Sequence, residues 1–560
     1  MLVGVVATFA RAVPFGLQHS WDDDRFITDN PLVHEVSFEN LRAILGAAHF
    51  QAYHPLHLLS YWLDVPLFGA NATALHVTSL ALWLCAAWLL LQVMRRLGLS
   101  EPAAVIATLL CALHPVQVEA VSWATGRKDV LAMGMACGAL LCHLRSEGAW
   151  DRWAWASRAV YGLGLLAKTT LVPLPAVLWL WDVHVRRRGP VTALVAQLPA
   201  LLIAAAAAPA VLQIWQDNEM VRATVGGAEL APLRFANTLS HQLTTALWPA
   251  SVAPMYASAP LAEVTALTFG GPLAVLVCWL GAWRARRPEL QWALGAFVVL
   301  LLPVSNLVPM YFPLQDRYLS LPLLPLCFAA GALLDALAPR DPAPQRMHRA
   351  HVLGLVAVTL LAARTAEYQG VWRAETRLWG HAAQVQPRAY YGWMKLGETR
   401  RNAGHHDGAI TAYRRLLMLD PTRKLGHAAL LQAVALRDEA VFGLSPSRAE
   451  SYTRRYYQHM TSPDRLLTLS GEMLRTGHLR SIEIVSGRAF ALQTFPDDAL
   501  RKAAGSHFDA GRPSLGLFYL RHLSTPPVDP RLVEHRRRAA PRVTALGLPY
   551  AQALPSAEAP

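Results

Sequence analysis

The sequence predicts an all-α protein: a polytopic helical membrane domain of about eleven spans, followed by a helical repeat domain. Three observations carry this expectation. The 560-residue chain is 54% hydrophobic and 16% charged, with a mean hydropathy of +0.26, where soluble domains carry about a quarter charged residues. Up to about Leu361, apolar runs alternate with short polar breaks, and beyond it the composition is that of a soluble helical domain. The arginines of the first part recur in groups: Arg95 and Arg96; Arg145 and Arg152; Arg186, Arg187 and Arg188; Arg284, Arg286 and Arg287; Arg340, Arg346 and Arg349. Each group lies between two apolar runs and the groups skip every second loop, the pattern of cytoplasmic loops. The formal charge of +13 is therefore mostly topology, and nucleic acid is not an expected partner.

A spanning helix needs about 20 mostly apolar residues. Candidates are 72–94, 102–118, 129–144, 153–167, 170–185, 191–214, 264–283, 290–309, 318–338 and 350–364, with a weaker one near 233–255. The stretch from Leu2 to Phe15 adds a short first span interrupted by Arg11, which calls for snorkelling flanks or a clipped start. It lacks a basic start and a small-residue cleavage site, so no cleavable signal peptide is expected. With the arginine loops inside, the outer face receives 16–71, 115–128, 168–169, 215–263, 310–317 and the C-terminal region. All six cysteines fall in apolar segments without metal-type spacing and read as core hydrophobes.

The expected domains are a membrane domain over 1–365, a helical repeat domain over 366–530, and a disordered tail rich in Pro, Ala and Arg over 531–560. From Tyr390, the spacing Trp393-x-x-Leu396-Gly397, then Gly404, Ala409, Tyr413 and Pro421, follows the 34-residue tetratricopeptide template, with Arg400 replacing a usual aromatic. Gly477 and Gly511 lie 34 residues apart in similar but degenerate surroundings. Such arrays present a concave groove for peptides.

Charge gathers on the outer face. Three carboxylates, Asp22, Asp23 and Asp24, follow the first apolar stretch. Only two lysines occur among the first 365 residues, Lys128 and Lys168, and both fall at outer ends of spans, against the positive-inside bias. A lysine there is a compact charge suited to a phosphate. The loop "HPVQVEAVSWATGRKD" adds His114, Glu119, Arg127, Lys128 and Asp129, and "MYFPLQDRYLSLP" adds Asp316, Arg317 and Tyr318. Ionisable groups beside apolar spans are costly and point to a functional site. Carboxylates facing cations suit group transfer: a carboxylate takes a proton from a hydroxyl nucleophile, and cations stabilise charge on a phosphate leaving group.

The stretches "WDDDRFITDNPLV", "YHPLHLLSYWLDVPLFG", "LHPVQVEAVSWATGRKDVLA", "LAKTTLVPLPAVLWLWD" and "LLPVSNLVPMYFPLQDRYLSLP", followed by tetratricopeptide repeats, resemble the transmembrane-and-tetratricopeptide-repeat O-mannosyltransferase family and its bacterial relatives, in the same order from about Trp21 to Pro421. That family belongs to the GT-C superfamily of polyprenyl-phosphate-sugar-dependent glycosyltransferases. The resemblance implies an inverting transferase with its catalytic loop outside, a polyprenyl-phosphate sugar (often mannose) as donor and Ser or Thr of exported proteins as acceptor. It places the acidic doublet on Asp22, as general base, and Asp23, as its support, with Asp24 variable. Arg127, Lys128 and Lys168 are implied donor-phosphate groups; His114, Glu119, Asp129 and Arg317 shape the site. His54 stands where relatives commonly carry Arg-Pro or Trp-His-Pro, so it is a candidate replacement for a basic side chain. No metal cofactor is indicated, although paired carboxylates could hold a divalent ion. The excess of Arg over Lys fits a GC-rich bacterial genome, which makes the location a cell inner membrane and the outside the periplasm. Two other readings stand beside this one: transfer to a lipid or surface glycan, and a non-enzymatic membrane-anchored scaffold. A transporter fits less well, since its charges would line a midplane path.

Overall fold

The structure is a computed structural model that describes residues 1–50, 52–217, 227–257, 259–338, 349–420, 497–509 and 529–545, with a few isolated positions between the last three segments. Arg340, Arg346, Pro421, Gly477 and Gly511 lie outside the described residues. The chain forms two compact units, Met1–Gly392 and Trp393–Pro560. Among the described residues secondary structure is helical, apart from one isolated bridge between His49 and Ala52.

The long helices of the first unit are α1 (Leu2–Phe9), α2 (Ala72–Arg96), α3 (Glu101–Ala112), α4 (Arg127–Arg145), α5 (Arg152–Ala167), α6 (Leu174–His184), α7 (Pro190–Asp217), α8 (Ala231–Leu247), α9 (Gly270–Arg284), α10 (Pro288–Leu301), α11 (Leu323–Leu337), α12 (Arg349–Gln369) and α13 (Glu375–Val385). Every expected span overlaps one of them, although several of these helices are shorter than the span expected. Their starts fall at polar breaks because these breaks carry caps: the side chains of Asn71, Ser100 and Asp151 accept from the backbone N–H of Ala74, Ala103 and Ala154. Among the described residues, three helical stretches are long and apolar enough to cross a membrane by length and composition, namely α2, Pro190–Pro209 and Arg349–Arg373. Leu2–Ala12, Glu101–Ala112, Pro288–Val304 and Leu323–Leu337 are apolar but shorter. The expected span 102–118 ends early, at Ala112, and the chain re-enters a helix only over Gln117–Ser122. Leu194, Leu198 and Leu202 on α7, Leu273, Leu276 and Leu280 on α9, and Leu353 and Leu360 on α12 are exposed. Apolar surface on this scale marks an interaction with a non-aqueous partner.

The helix α4 packs between α2 and α5, and all three run between the same two ends of the unit. The loop 16–71 folds into short helices, including Pro31–His34, Phe38–Gly46, Pro55–Ser60 and Val65–Phe68. Its core of Phe26, Ile27, Val33, Ile44, Leu58, Tyr61 and Val65 includes Leu75 from α2 and Ala124 from the turn before α4. That shared core docks the acidic loop on the N-terminal end of α4.

The boundary of the first unit falls later than the expected 365. Leu378, Trp379 and Ala382 of α13 are buried within it, and Trp379 meets Trp21 edge-on at 5.1 Å. Hydropathy does not announce such docking, because α13 is amphipathic with a near-neutral mean. The second unit begins with a helix–turn–helix: α14 (Tyr390–Asn402) turns at Gly404, whose φ of 77° is a left-handed value that favours glycine, into α15 (His406–Leu419). Ala409, Ile410 and Tyr413 are buried there. The tail expected to be disordered from 531 is helical over α17 (Pro530–Ala545), and it packs on α16 (Asp497–Asp509) through Leu532 and a stacked Phe508–His535 pair at 5.0 Å. Proline at its first position, Asp529 before it and the Glu534–Arg538 pair four residues apart favour that helix.

Candidate active site

Local chemistry presents the site residues at the N-terminal end of α4. Gly126 precedes α4, and a Cβ there would lie 2.6 Å from the Glu119 carbonyl and 2.7 Å from that of Ala120. Only glycine permits this tight return, which places Trp123, Ala124 and Thr125 against the acidic loop.

Adjacent carboxylates in that loop have different surroundings. Asp23 is fully buried and accepts three hydrogen bonds, from the backbone N–H of Gln18 (2.7 Å) and from the N–H (2.9 Å) and hydroxyl (2.6 Å) of Thr125. Burial pushes its carboxyl up to about 6, more than these bonds lower it, and the Asp22 charge adds to the rise. Asp22 is half-buried, and no hydrogen bond or ion pair among the described residues engages its carboxylate. Its charge instead acts on Lys128 and Arg317. Asp24 opens the wide turn Asp24–Thr28, and its carboxylate accepts from the backbone N–H of Arg25 at 2.8 Å.

The cations divide in the same way. Arg127 is fully buried and pairs with Asp64, Nη2 to Oδ2 at 2.5 Å and Nη1 to Oδ1 at 3.3 Å. Its other donors go to Ser79 Oγ (3.1 Å), the Ser60 carbonyl (3.0 Å) and the Leu75 carbonyl (3.0 Å). All five N–H groups of the guanidinium are thereby used, and its face covers the Tyr61 ring at 4.7 Å. Expected to bind donor phosphate, Arg127 is placed here as a staple between the acidic loop, α2 and α4.

Lys128 points elsewhere, because consecutive helical residues face directions about 100° apart. Its ammonium lies 5.1 Å from the ring centres of both Phe26 and Trp123 and makes no hydrogen bond or ion pair among the described residues. Asp22 and Asp129 attract it; Arg317 and Lys168 repel it. Lys168, at the C-terminal end of α5, pairs with Asp129 Oδ1, and Asp129 Oδ2 is buried without a partner. Glu119, fully buried, accepts from the Arg317 side chain and from its backbone N–H at 3.0 Å. Burial raises the Glu119 carboxyl, opposed by Arg317. The Arg317 guanidinium lies over Trp123 at 5.2 Å and Trp21 at 5.8 Å. A cavity of about 20 Å³, room for one water, separates Lys168 from Arg317.

The histidines depart from expectation. The ring of His54 is held neutral at about 3, by removal from water first and then by Lys128 and Lys168. It therefore adds no cation, and His54 sits among the charges as a neutral group with a buried, unpartnered Nδ1. His114 is not brought to the cluster: its Nε2 meets the Ala246 carbonyl at 3.2 Å and its Nδ1 accepts from Val116 N–H at 3.3 Å. It lines an apolar cavity of about 1260 Å³ between α8, α9, α11 and α12.

The chain is 20% identical over 439 residues to protein O-mannosyl-transferase F38B6.6 of Caenorhabditis elegans, a match covering 72% of this chain and 60% of that protein. It is 30% identical over 105 residues to protein O-mannosyl-transferase TMTC3 of Homo sapiens, and 29% over 121 residues to the Mus musculus protein of that name. These two matches cover 19% and 22% of this chain, and 11% and 13% of the mammalian proteins. The chain is thus similar to protein O-mannosyl-transferases. It spans 60% of the length of the nematode protein, and much less of the mammalian ones is matched. No protein-family profile matches it. Among solved structures, the crystal structure of ArnT from Cupriavidus metallidurans bound to undecaprenyl phosphate is similar, with a TM-score of 0.38, 15% identity, and coverage of 79% of this chain and 80% of that one.

The residues that sequence reasoning passed over are partners of those it named. Asp64, Thr125, Phe26 and Trp123 all lie inside the motif stretches, but only their tertiary contacts give them roles. Among the described residues, no group of three or more His, Cys, Asp or Glu side chains is arranged to hold a metal ion.

Proposed function

We propose that the protein is an integral-membrane glycosyltransferase that moves a sugar, mannose foremost, from a polyprenyl-phosphate donor to Ser or Thr hydroxyls of exported proteins, on the periplasmic face of a cell inner membrane. One observation carries this reading. Glu119 pairs with Arg317 and Asp129 with Lys168, while Asp22 and Lys128 remain without a bonded partner among the described residues although the Asp22 charge acts on Lys128. A free carboxylate facing a free ammonium is the minimum equipment for deprotonating an acceptor and receiving a phosphate leaving group.

In the proposed reaction, Asp22 takes the proton of the acceptor hydroxyl as its oxygen attacks the anomeric carbon from the face opposite the phosphate. The bond from that carbon to the phosphate oxygen breaks, and its electron pair leaves with the polyprenyl phosphate. Lys128 meets the negative charge growing there, with Arg317 and Lys168 beside it. The anomeric configuration inverts. Asp23 acts through structure, fixing the loop that presents Asp22. The apolar cavity walled by α8, α9, α11 and α12 matches a hydrocarbon chain in chemistry and size, and the names of the relatives favour mannose and a protein acceptor. The helical hairpin α14–α15 would open a tetratricopeptide groove for acceptor segments.

The test is transfer by the purified protein across several polyprenyl-phosphate sugars, with a Ser/Thr peptide and a lipid acceptor compared. Asp22→Asn is expected to lower the rate by about 10²–10⁴-fold with an unchanged melting temperature, because its carboxylate holds nothing in place. Full activity in Asp22→Asn would remove it as the base.

A further inference from the structure

A second charged site lies at the far ends of the same helices. From Arg127 to Arg145, α4 rises about 27 Å, close to the thickness of a bilayer core. Its C-terminal end, the C-terminal end of α2 and the residues following α6 together surround an open cavity of about 750 Å³, lined by Arg96, Arg145, Arg186, Arg188, Trp153 and Glu147. Four guanidinium groups thus face one carboxylate, at the end of the unit that the arginine pattern assigns to the cytoplasm.

Two of the four are anchored. Arg186 is held by Asp182 Oδ1 (3.1 Å) and by the carbonyls of His143 (2.9 Å) and Leu144 (3.3 Å); Arg188 is held by Asp182 Oδ2 (3.3 Å) and the Glu147 carbonyl (2.9 Å). Asp182 is fully buried, and also accepts from His143. The other two, Arg96 and Arg145, are exposed and make no hydrogen bond or ion pair among the described residues. Arg95, one residue earlier, pairs with Glu101, so exposure alone does not explain the lack of partners. The wall is built as well: Asp151 accepts from the backbone N–H groups of Glu147 (2.8 Å), Gly148 (3.0 Å) and Ala154 (2.8 Å), fixing the 146–151 turn. Those bonds hold the Asp151 carboxyl well below the usual range.

Trp153 decides between a soluble and a membrane ligand. Its ring lies under both Arg145 (5.1 Å) and Arg152 (5.4 Å), and its neighbours Trp150 and Trp155 are about half exposed. Exposed tryptophans beside basic groups are the signature of the headgroup layer of a membrane. We propose that this cavity binds the phosphate of an anionic lipid headgroup from the inner leaflet, with Arg186 and Arg188 as its preset floor and Arg96 and Arg145 closing on it. The site is separate from the transfer chemistry and does not depend on the transferase reading.

The experiment uses the full-length protein in phosphatidylcholine nanodiscs with graded phosphatidylglycerol, and counts retained lipids by native mass spectrometry. Wild type is expected to keep phosphatidylglycerol over phosphatidylcholine. The double variant Arg96→Gln/Arg145→Gln should bind it about thirtyfold more weakly, roughly fivefold per arginine near an anionic surface, with Arg96→Lys/Arg145→Lys retaining most of the binding. Two results overturn the proposal. One is an equal loss in Arg284→Gln/Arg286→Gln, inner-end arginines outside the cavity, which would reduce the effect to general attraction. The other is displacement of the lipid by millimolar inorganic phosphate, which would make a free anion the ligand. Melting temperatures of all variants confirm that binding is read on folded protein.

Discussion

At the N-terminal end of α4, cations sit in buried surroundings where nearly every charge has a counterpart; at its C-terminal end, two cations are anchored on one buried carboxylate and two, Arg96 and Arg145, stand exposed and unpaired among the described residues. Arg127 spends all five donors on Asp64, Ser60, Ser79 and Leu75, whereas Arg145 rests on one tryptophan ring and bonds to nothing described. The difference follows from cost. A charge removed from water must be compensated by geometry, while an exposed guanidinium keeps its hydration and needs no partner. Buried charge is therefore arranged pair by pair, and any unpaired member stands out as functional. Exposed charge acts as a field, and its role depends on how many groups converge.

The sharpest break in that contrast lies between neighbours. Arg127→Met should cost about 3–5 kcal/mol, because it strands Asp64 as an uncompensated buried charge, and it should lower the yield of folded protein. Lys128→Met removes an ammonium that is bonded to nothing, so its melting temperature should stay near wild type while KM for the lipid donor rises. Equal destabilisation by the two substitutions would erase the distinction between staple and ligand-binding group.

Asp23 offers an intermediate effect with a pH signature. Its folded-state carboxyl is raised to about 6 from the usual value near 4. Between those values the folded protein binds more protons than the unfolded chain, so this group makes stability fall as pH rises through the window and leaves it level above about 6. Asp23→Asn should flatten that slope in thermal melts from pH 4 to 7. At pH 4 it should also cost about 1–3 kcal/mol for the misfit with the Gln18 N–H, a cost that shrinks as pH rises through the window because the wild type then buries a charge that asparagine lacks. A slope that survives in Asp23→Asn would belong to another buried acid, with Glu119 the next to test.

The sequence made much of this legible. Helix limits followed from polar breaks, because Asn71, Ser100 and Asp151 are caps as well as breaks. The two lysines that defy the positive-inside bias both fell at the charged cluster. What stayed hidden was which member of each like-charged pair is bonded. The partners lie 63 residues away for Arg127, 102 for Asp23 and 198 for Arg317. Adjacent residues on a helix also point to different sides, which composition cannot express. The boundary at 392 was hidden for a related reason: α13 is joined to the site by aromatic packing that hydropathy does not register.

That packing supports the smallest of the expected effects. Glu375 of α13 accepts from the backbone N–H of Ser20 at 2.6 Å, and Trp379 donates to the Ser20 hydroxyl at 2.8 Å, two residues before Asp22. Gln18 donates to the Trp372 carbonyl at 2.9 Å, adding a third tie. Glu375→Gln keeps the shape and weakens one charge-assisted bond, worth about 1 kcal/mol. Since two ties remain, Tm should barely move. The Asp22 loop should nevertheless wander more, so kcat should fall a few-fold with KM for the donor unchanged. A matching rise in KM would place α13 among the donor contacts, and no change in either would show that the two remaining ties hold the loop without Glu375.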